Sequence, residues 1–263
     1  MSNQILQHQR NNDVLFPVKE MPAMLGLNDN TGYKFIVNSA TDKVISCMSN
    51  EYKLVSNQEV FDKSEKIIKE YEGRLVEEKS FGRGARCRWK FRFPQTVKVG
   101  EDDMHPEIIM GNSYDGSSQV YIMCGAYRLV CSNGMIIGIT YGTFNNRHSV
   151  FNPNMENLDT TLPDMIRTSI QAIEHDLPDL QGIKVNESDI AKIIELFPEQ
   201  SMESLVNHLL THKPETYWDL LNTCTWMATH VLNRDKETTH KLESNVYNTI
   251  KKMSDNADFV AVA

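Results

Sequence analysis

One change of texture constrains the fold of this chain more than any other feature. Near Pro153 the spacing of apolar residues switches from an alternating to a helical period. From Arg74 to Ser149, short alternating runs are punctuated by Gly, Asn and Pro, the pattern of strands joined by tight turns. The runs 74–80, 85–93, 106–111, 118–124, 127–131 and 136–141 predict strands, with a short one near 146–150. Beyond Pro153, segments near 159–175, 187–197, 201–212, 215–233 and 239–254 carry helical periodicity, and Pro178, Pro198 and Pro214 act as breakers between them. The expected class is α+β: an antiparallel, β-rich N-terminal domain containing a helix, followed by a helical C-terminal region.

The N-terminal side supplies the helix. Residues 1–32 are rich in Asn and Gln, with Pro17 and Pro22, and predict a flexible arm. Tyr33–Val37 and Val44–Met48 flank a turn and predict a hairpin, with Tyr52–Val55 as a third short strand. Ser56 and Glu59 fit a capping box, and Val60, Phe61, Ser64, Ile67, Ile68 and Tyr71 then recur at helical spacing up to a stop at Gly73. The expected domains are thus an arm (1–32), a β-rich domain (33–152) and an acidic helical region (153–263). No run approaches the ~20 apolar residues of a membrane span, and the polar N-terminus lacks the apolar core of a secretion signal. The five cysteines form an odd set without a CxxC pair and read as reduced thiols of the cytoplasm.

Charge is distributed unevenly. Residues 1–150 hold 18 Lys/Arg against 17 Asp/Glu, residues 151–263 hold 9 against 18, and the stretch 74–98 alone holds eight basic residues and two acids. Within it, strand alternation places Arg86, Arg88, Lys90 and Arg92 on one face of Arg86–Phe93 and Cys87, Trp89, Phe91 and Phe93 on the other. The apolar face would seal the strand onto a core. The other would offer four cations over about 20 Å, a row suited to phosphates, with Arg83 between Gly82 and Gly84 at its edge. The bland alternative is a solvated face paired with Glu77, Glu78 and neighbouring acids. Arg128, Arg147 and His148 are second-line candidates, and Tyr114 or Tyr127 could stack on bases.

A second feature, Asn112-Ser113-Tyr114-Asp115-Gly116-Ser117-Ser118, predicts a turn dense in amides and hydroxyls. Asn112, Ser113, Tyr114, Asp115 and Ser117 could hold phosphate or simply close a hairpin, although the Gly-Lys-Ser/Thr of a P-loop is missing. His208 and His212 are spaced i, i+4, but no Glu stands at the metalloprotease position. Neither a thiol signature nor a nucleophile elbow is present. Catalytic residues, metal ligands and cofactors are therefore expected to be none.

Taken together, Asn112–Ser117 and Arg128-Leu129-Val130-Cys131-Ser132-Asn133 resemble the paired central motifs of a family of uncharacterised phage/plasmid-like proteins. Tyr52-Lys53-Leu54-Val55 with Asn57, and Trp218–Asn222, are similar to it as well, so that the likeness covers roughly residues 33–250. The resemblance implies a protein of a mobile element, acting in the host cytoplasm. Joined to the basic strand, it gives the leading expectation: a non-enzymatic homo-oligomer that binds single-stranded nucleic acid in recombination or replication. The alternative is an anti-defence or regulatory protein that binds a host protein or small nucleotide through the 112–118 turn.

Overall fold

A computed structural model describes residues 14–26, 29–128, 134–135, 143–146, 148, 157–232 and 236–261. The chain runs β1 (Val18–Leu25), β2 (Asp29–Asn38), β3 (Lys43–Ser49), α1 (Asn57–Glu70), β4 (Arg74–Phe81), β5 (Arg86–Arg92), β6 (Val97–Val99), β7 (Asp102–Ser113), β8 (Val120–Arg128), β9 (Gly134–Met135) and β10 (Thr143–Asn146). Helices α2 (Leu158–Asp179), α3 (Glu187–Ile194), α4 (Met202–His212), α5 (Tyr217–His230) and α6 (Lys236–Ala261) follow. The class is α+β, as the change of periodicity predicts.

Two sheets form. The smaller has the order β1-β2-β3; the larger has β10-β8-β7-β5-β4, with β6 pairing β7 and β9 pairing β8. Part of the expected arm is therefore a strand. Residues 18–25 pair antiparallel with β2, Val18 opposite Asn38 and Met21 opposite Phe35. Pro22 reads as a breaker in sequence, yet the outermost strand of a sheet tolerates it. The part of the arm before residue 14 lies outside the described residues. The hairpin of β2 and β3 forms as expected, but Tyr52–Val55 makes only a single bridge at Tyr52. There the Tyr52 hydroxyl turns inward and donates to Ser113 O at 2.9 Å. Helix α1 begins as predicted, with the Ser56 hydroxyl accepting from Glu59 N at 3.0 Å. It ends through Glu72 in the left-handed region (φ 61°), one residue before the expected Gly73. Pro178 sits in the last turn of α2 instead of after it.

The chain divides into two compact units whose limits differ from a simple cut near residue 152. One comprises Met1–Phe91, Ile109–Ile122 and Phe144–Leu162; the other comprises Arg92–Ile108, Met123–Thr143 and Pro163–Ala263. In the first unit, Phe61 of α1 packs on Trp89 and Phe91 of β5, with ring centroids 5.5 and 5.9 Å apart. Phe16, Ile36, Tyr52 and Tyr114 form a further cluster there. The second unit is built around α5, which starts at a reciprocal capping box between Thr216 and Asp219. Tyr217, Trp218, Leu220, Leu221, Cys224, Met227 and Ala228 are all buried, the pattern of a helix enclosed by its neighbours. The apolar stripe around Trp218 is thus core.

Candidate nucleic-acid interface

Strand β5 lies between β4 and β7, and both neighbours bring carboxylates to its basic face. Arg88 is only 5% exposed. Its Nε donates to Glu77 Oε1 of β4 at 3.0 Å, and its Nη2 donates to the same oxygen. Lys79 holds the other Glu77 oxygen at 2.6 Å. Burial opposes the charge on Glu77, but the Lys79 hydrogen bond and the Arg88 guanidinium outweigh it and hold the carboxyl down at about 2. Arg92 pairs with the buried Glu107 of β7, Nε to Oε1 at 2.8 Å. Lys90 is half-buried and not free. The expected row of four phosphate-binding cations is corrected accordingly: Arg88 is paired with Glu77, as the alternative has it, and Arg92 with Glu107. The apolar face is as expected, with Cys87, Trp89, Phe91 and Phe93 buried.

Charge remains exposed at the tip of the β4–β5 hairpin. Three successive residues there have positive φ: Gly82 (59°), Arg83 (60°) and Gly84 (92°). An L-residue in the left-handed region costs about 1–2 kcal/mol, so Arg83 stands in a strained turn, and it is exposed there. A side chain on Gly84 would meet the Phe16 ring at 2.8 Å, so glycine is required there on two counts. The following residue is pinned by Tyr114 N, which donates to Ala85 O at 2.7 Å. Arg86 is exposed as well, and its Nε folds back to 3.9 Å from where a Cβ on Gly82 would lie. Just before the tip, Phe81 is 38% exposed, with the Arg88 guanidinium carbon 5.7 Å from its ring centroid. The tip therefore gathers two exposed cations, Arg83 and Arg86, and the exposed ring of Phe81, the one member that the sequence expectation does not include. The signal for it was present in Phe81-Gly82-Arg83-Gly84, an aromatic residue followed by a glycine-flanked Arg between two strands.

The other candidates fall elsewhere. Asn112, Ser113 and Tyr114 face inward. Asn112 Nδ2 donates to Val55 O at 3.0 Å and to Asn57 Oδ1 at 2.9 Å. The Cys87 thiol donates to the same Asn57 oxygen at 3.2 Å. Asn57 N donates to the Tyr114 hydroxyl at 2.7 Å, so Tyr114 is a buried acceptor and not a surface for bases. Ser113 closes the turn on Ser118 O at 2.6 Å. Only Asp115 and Ser117 remain outward, and Asp115 Oδ1 already accepts from Ser117 N at 3.0 Å. The hub of this network is Asn57, a residue of the upstream segment that carries the family resemblance and the first residue of α1.

His148 stacks on Tyr52 at 4.9 Å, and its Nδ1 donates to Lys53 O at 3.1 Å. Burial lowers its pKa and favours the neutral ring, which offers little to a phosphate. Arg147 lies outside the described residues, as do the side chains of Arg128 and Tyr127. Cys47, Cys87 and Cys224 are free thiols. Burial pushes the last two up, Cys224 to about 12, far from a nucleophile at neutral pH. His208 and Trp226 stack at 4.6 Å, Trp226 and His230 at 5.1 Å. Among the described residues, no group of three or more His, Cys, Asp and Glu side chains could hold a metal. No helix among them is long and apolar enough to cross a membrane.

An α+β chain whose central motif ties the start of α1 to a sheet, with an exposed basic tip on the β4–β5 hairpin, is the class these features define. The chain belongs to the family of the domain of unknown function DUF932, whose profile matches residues 44–258. Strands β1 and β2 precede that match. No solved structure matches the chain.

Proposed function

We propose that this chain binds single-stranded nucleic acid through the β4–β5 hairpin tip. It would act as a homo-oligomeric annealing protein of a phage or related mobile element, in recombination or replication within the host cytoplasm. The observation that carries the reading is Arg83, held outward in a strained left-handed turn beside exposed Arg86. Strain of this kind persists where surrounding structure enforces it, often at a working site. Phosphates attract such cations by releasing condensed counterions. The resemblance to phage/plasmid-like proteins supplies the biological setting, and the acidic residues 151–263 favour confining a polyanion to the basic segment. Arg88 and Arg92 are already paired, so phosphate contacts fall first to Arg83 and Arg86.

The test is the salt dependence of binding to a labelled single strand. Each lost phosphate contact lowers the slope of log K against log salt by about 0.7 for single strands. The double variant Arg83→Gly/Arg86→Gln should therefore flatten it by about 1.4 and weaken binding across all sequences. Folding is retained, because glycine suits the left-handed turn and Arg86 is exposed. A folded double variant with unchanged affinity and slope would remove the hairpin tip as the interface and favour a regulatory protein that binds a host partner.

A further inference from the structure

Cations alone would hold a duplex as readily as a single strand, since both offer phosphates. What distinguishes an unpaired strand is the exposed face of its bases, which stack on aromatic side chains whatever the sequence. Tyr114 cannot serve, being wholly buried and bonded to Asn57. Phe81 can. It is an exposed large aromatic one residue from the Gly82-Arg83-Gly84 turn, and the Arg86 head group lies over Gly82 beside it. The Arg88 guanidinium lies over its ring, 5.7 Å from the centroid. That guanidinium is fixed in turn by hydrogen bonds to Glu77, which Lys79 holds from the other side.

We infer that Phe81 is the base-stacking residue of this hairpin and confers preference for unpaired strands, the base resting on a pile of Phe81, Arg88 and Glu77. The inference rests on the nucleic-acid reading above. It also gives the buried pair a role that direct phosphate binding does not: Arg88 presents the ring, while Arg83 and Arg86 flank it with charge for the adjoining phosphates. The ring contributes no charge, so stacking and phosphate contact can be separated by experiment.

The experiment compares a dT oligonucleotide of about 16 nucleotides, an abasic oligonucleotide of the same length, and a duplex, each titrated with the full chain. Wild type should bind dT more tightly than the abasic strand by about tenfold, within the range set by one stacked base. Phe81→Leu should lose that discrimination, binding both strands alike with an unchanged salt slope and unchanged duplex affinity. Phe81→Tyr, which keeps an aromatic face, should restore it. Equal binding of dT and abasic strands by wild type would overturn the inference even if Phe81→Leu proved hard to fold. So would a Phe81→Leu chain that still prefers dT. In either case, a reduced slope in the Arg83/Arg86 variant would leave nucleic-acid binding at the tip intact. Absence of any binding by wild type would remove both.

Discussion

Replacing Trp89 with Ala is expected to destabilise the protein by about 3–5 kcal/mol, the cost of emptying a buried aromatic site. The indole is completely enclosed. One side meets Phe61 of α1 at 5.5 Å, and the ring N–H donates to Glu78 Oε1 at 3.1 Å. Truncation would leave a cavity beneath α1 and strip a hydrogen-bond donor from a half-buried carboxylate. The loss should appear as a lower urea midpoint in chemical unfolding, with or without nucleic acid present. Exposed Phe81→Leu should shift that midpoint little. A midpoint for Trp89→Ala within error of wild type would mean that α1 is not anchored through this ring.

The contrast between Trp89 and Arg88, neighbours on one strand, shows how much of this molecule is legible in sequence. Period-two alternation correctly separates Cys87, Trp89, Phe91 and Phe93 from the cations, because that pattern depends only on backbone geometry. It is silent about what covers the second face. The acids that neutralise Arg88 and Arg92 sit on β4 and β7, and the latter arrives 15 residues on at Glu107. Pairing order between strands, which alternation does not encode, decides that the basic face is half-buried instead of open. The same holds for the Asn112–Ser117 motif. Its amide-rich composition predicts a turn, and a turn forms, but composition does not say that Asn112 and Tyr114 point inward to the start of α1. The hairpin tip is more legible, since glycines on both sides of Arg83 mark a positive-φ turn by local chemistry alone. Strand β1 is hidden in the sequence for the converse reason. Pro22 reads locally as a breaker, and only an outer position in the sheet excuses it.

The buried pair leads to the second large effect. Glu77→Ala should cost about 3 kcal/mol, because it leaves the Arg88 guanidinium enclosed without its counter-charge. The penalty belongs to the stranded cation and not to the pair as such. Glu77→Leu combined with Arg88→Met should therefore recover most of the stability, as an apolar replacement of similar volume removes the uncompensated charge. The pH dependence supplies an independent check. The Glu77 carboxyl is lowered in the folded state to about 2, so the unfolded chain takes up its proton first as acid is added. Its contribution is complete above the ordinary carboxylate range and is lost as pH falls through that range towards 2. In the Leu/Met double variant this part of the acid sensitivity should vanish, while the remaining carboxylates continue to titrate. If Glu77→Ala instead matched wild type in stability at neutral pH, Arg88 would have to find solvent or another acid on release. The guanidinium would then leave its place over the Phe81 ring, and the preference for an unpaired strand should weaken in the same variant.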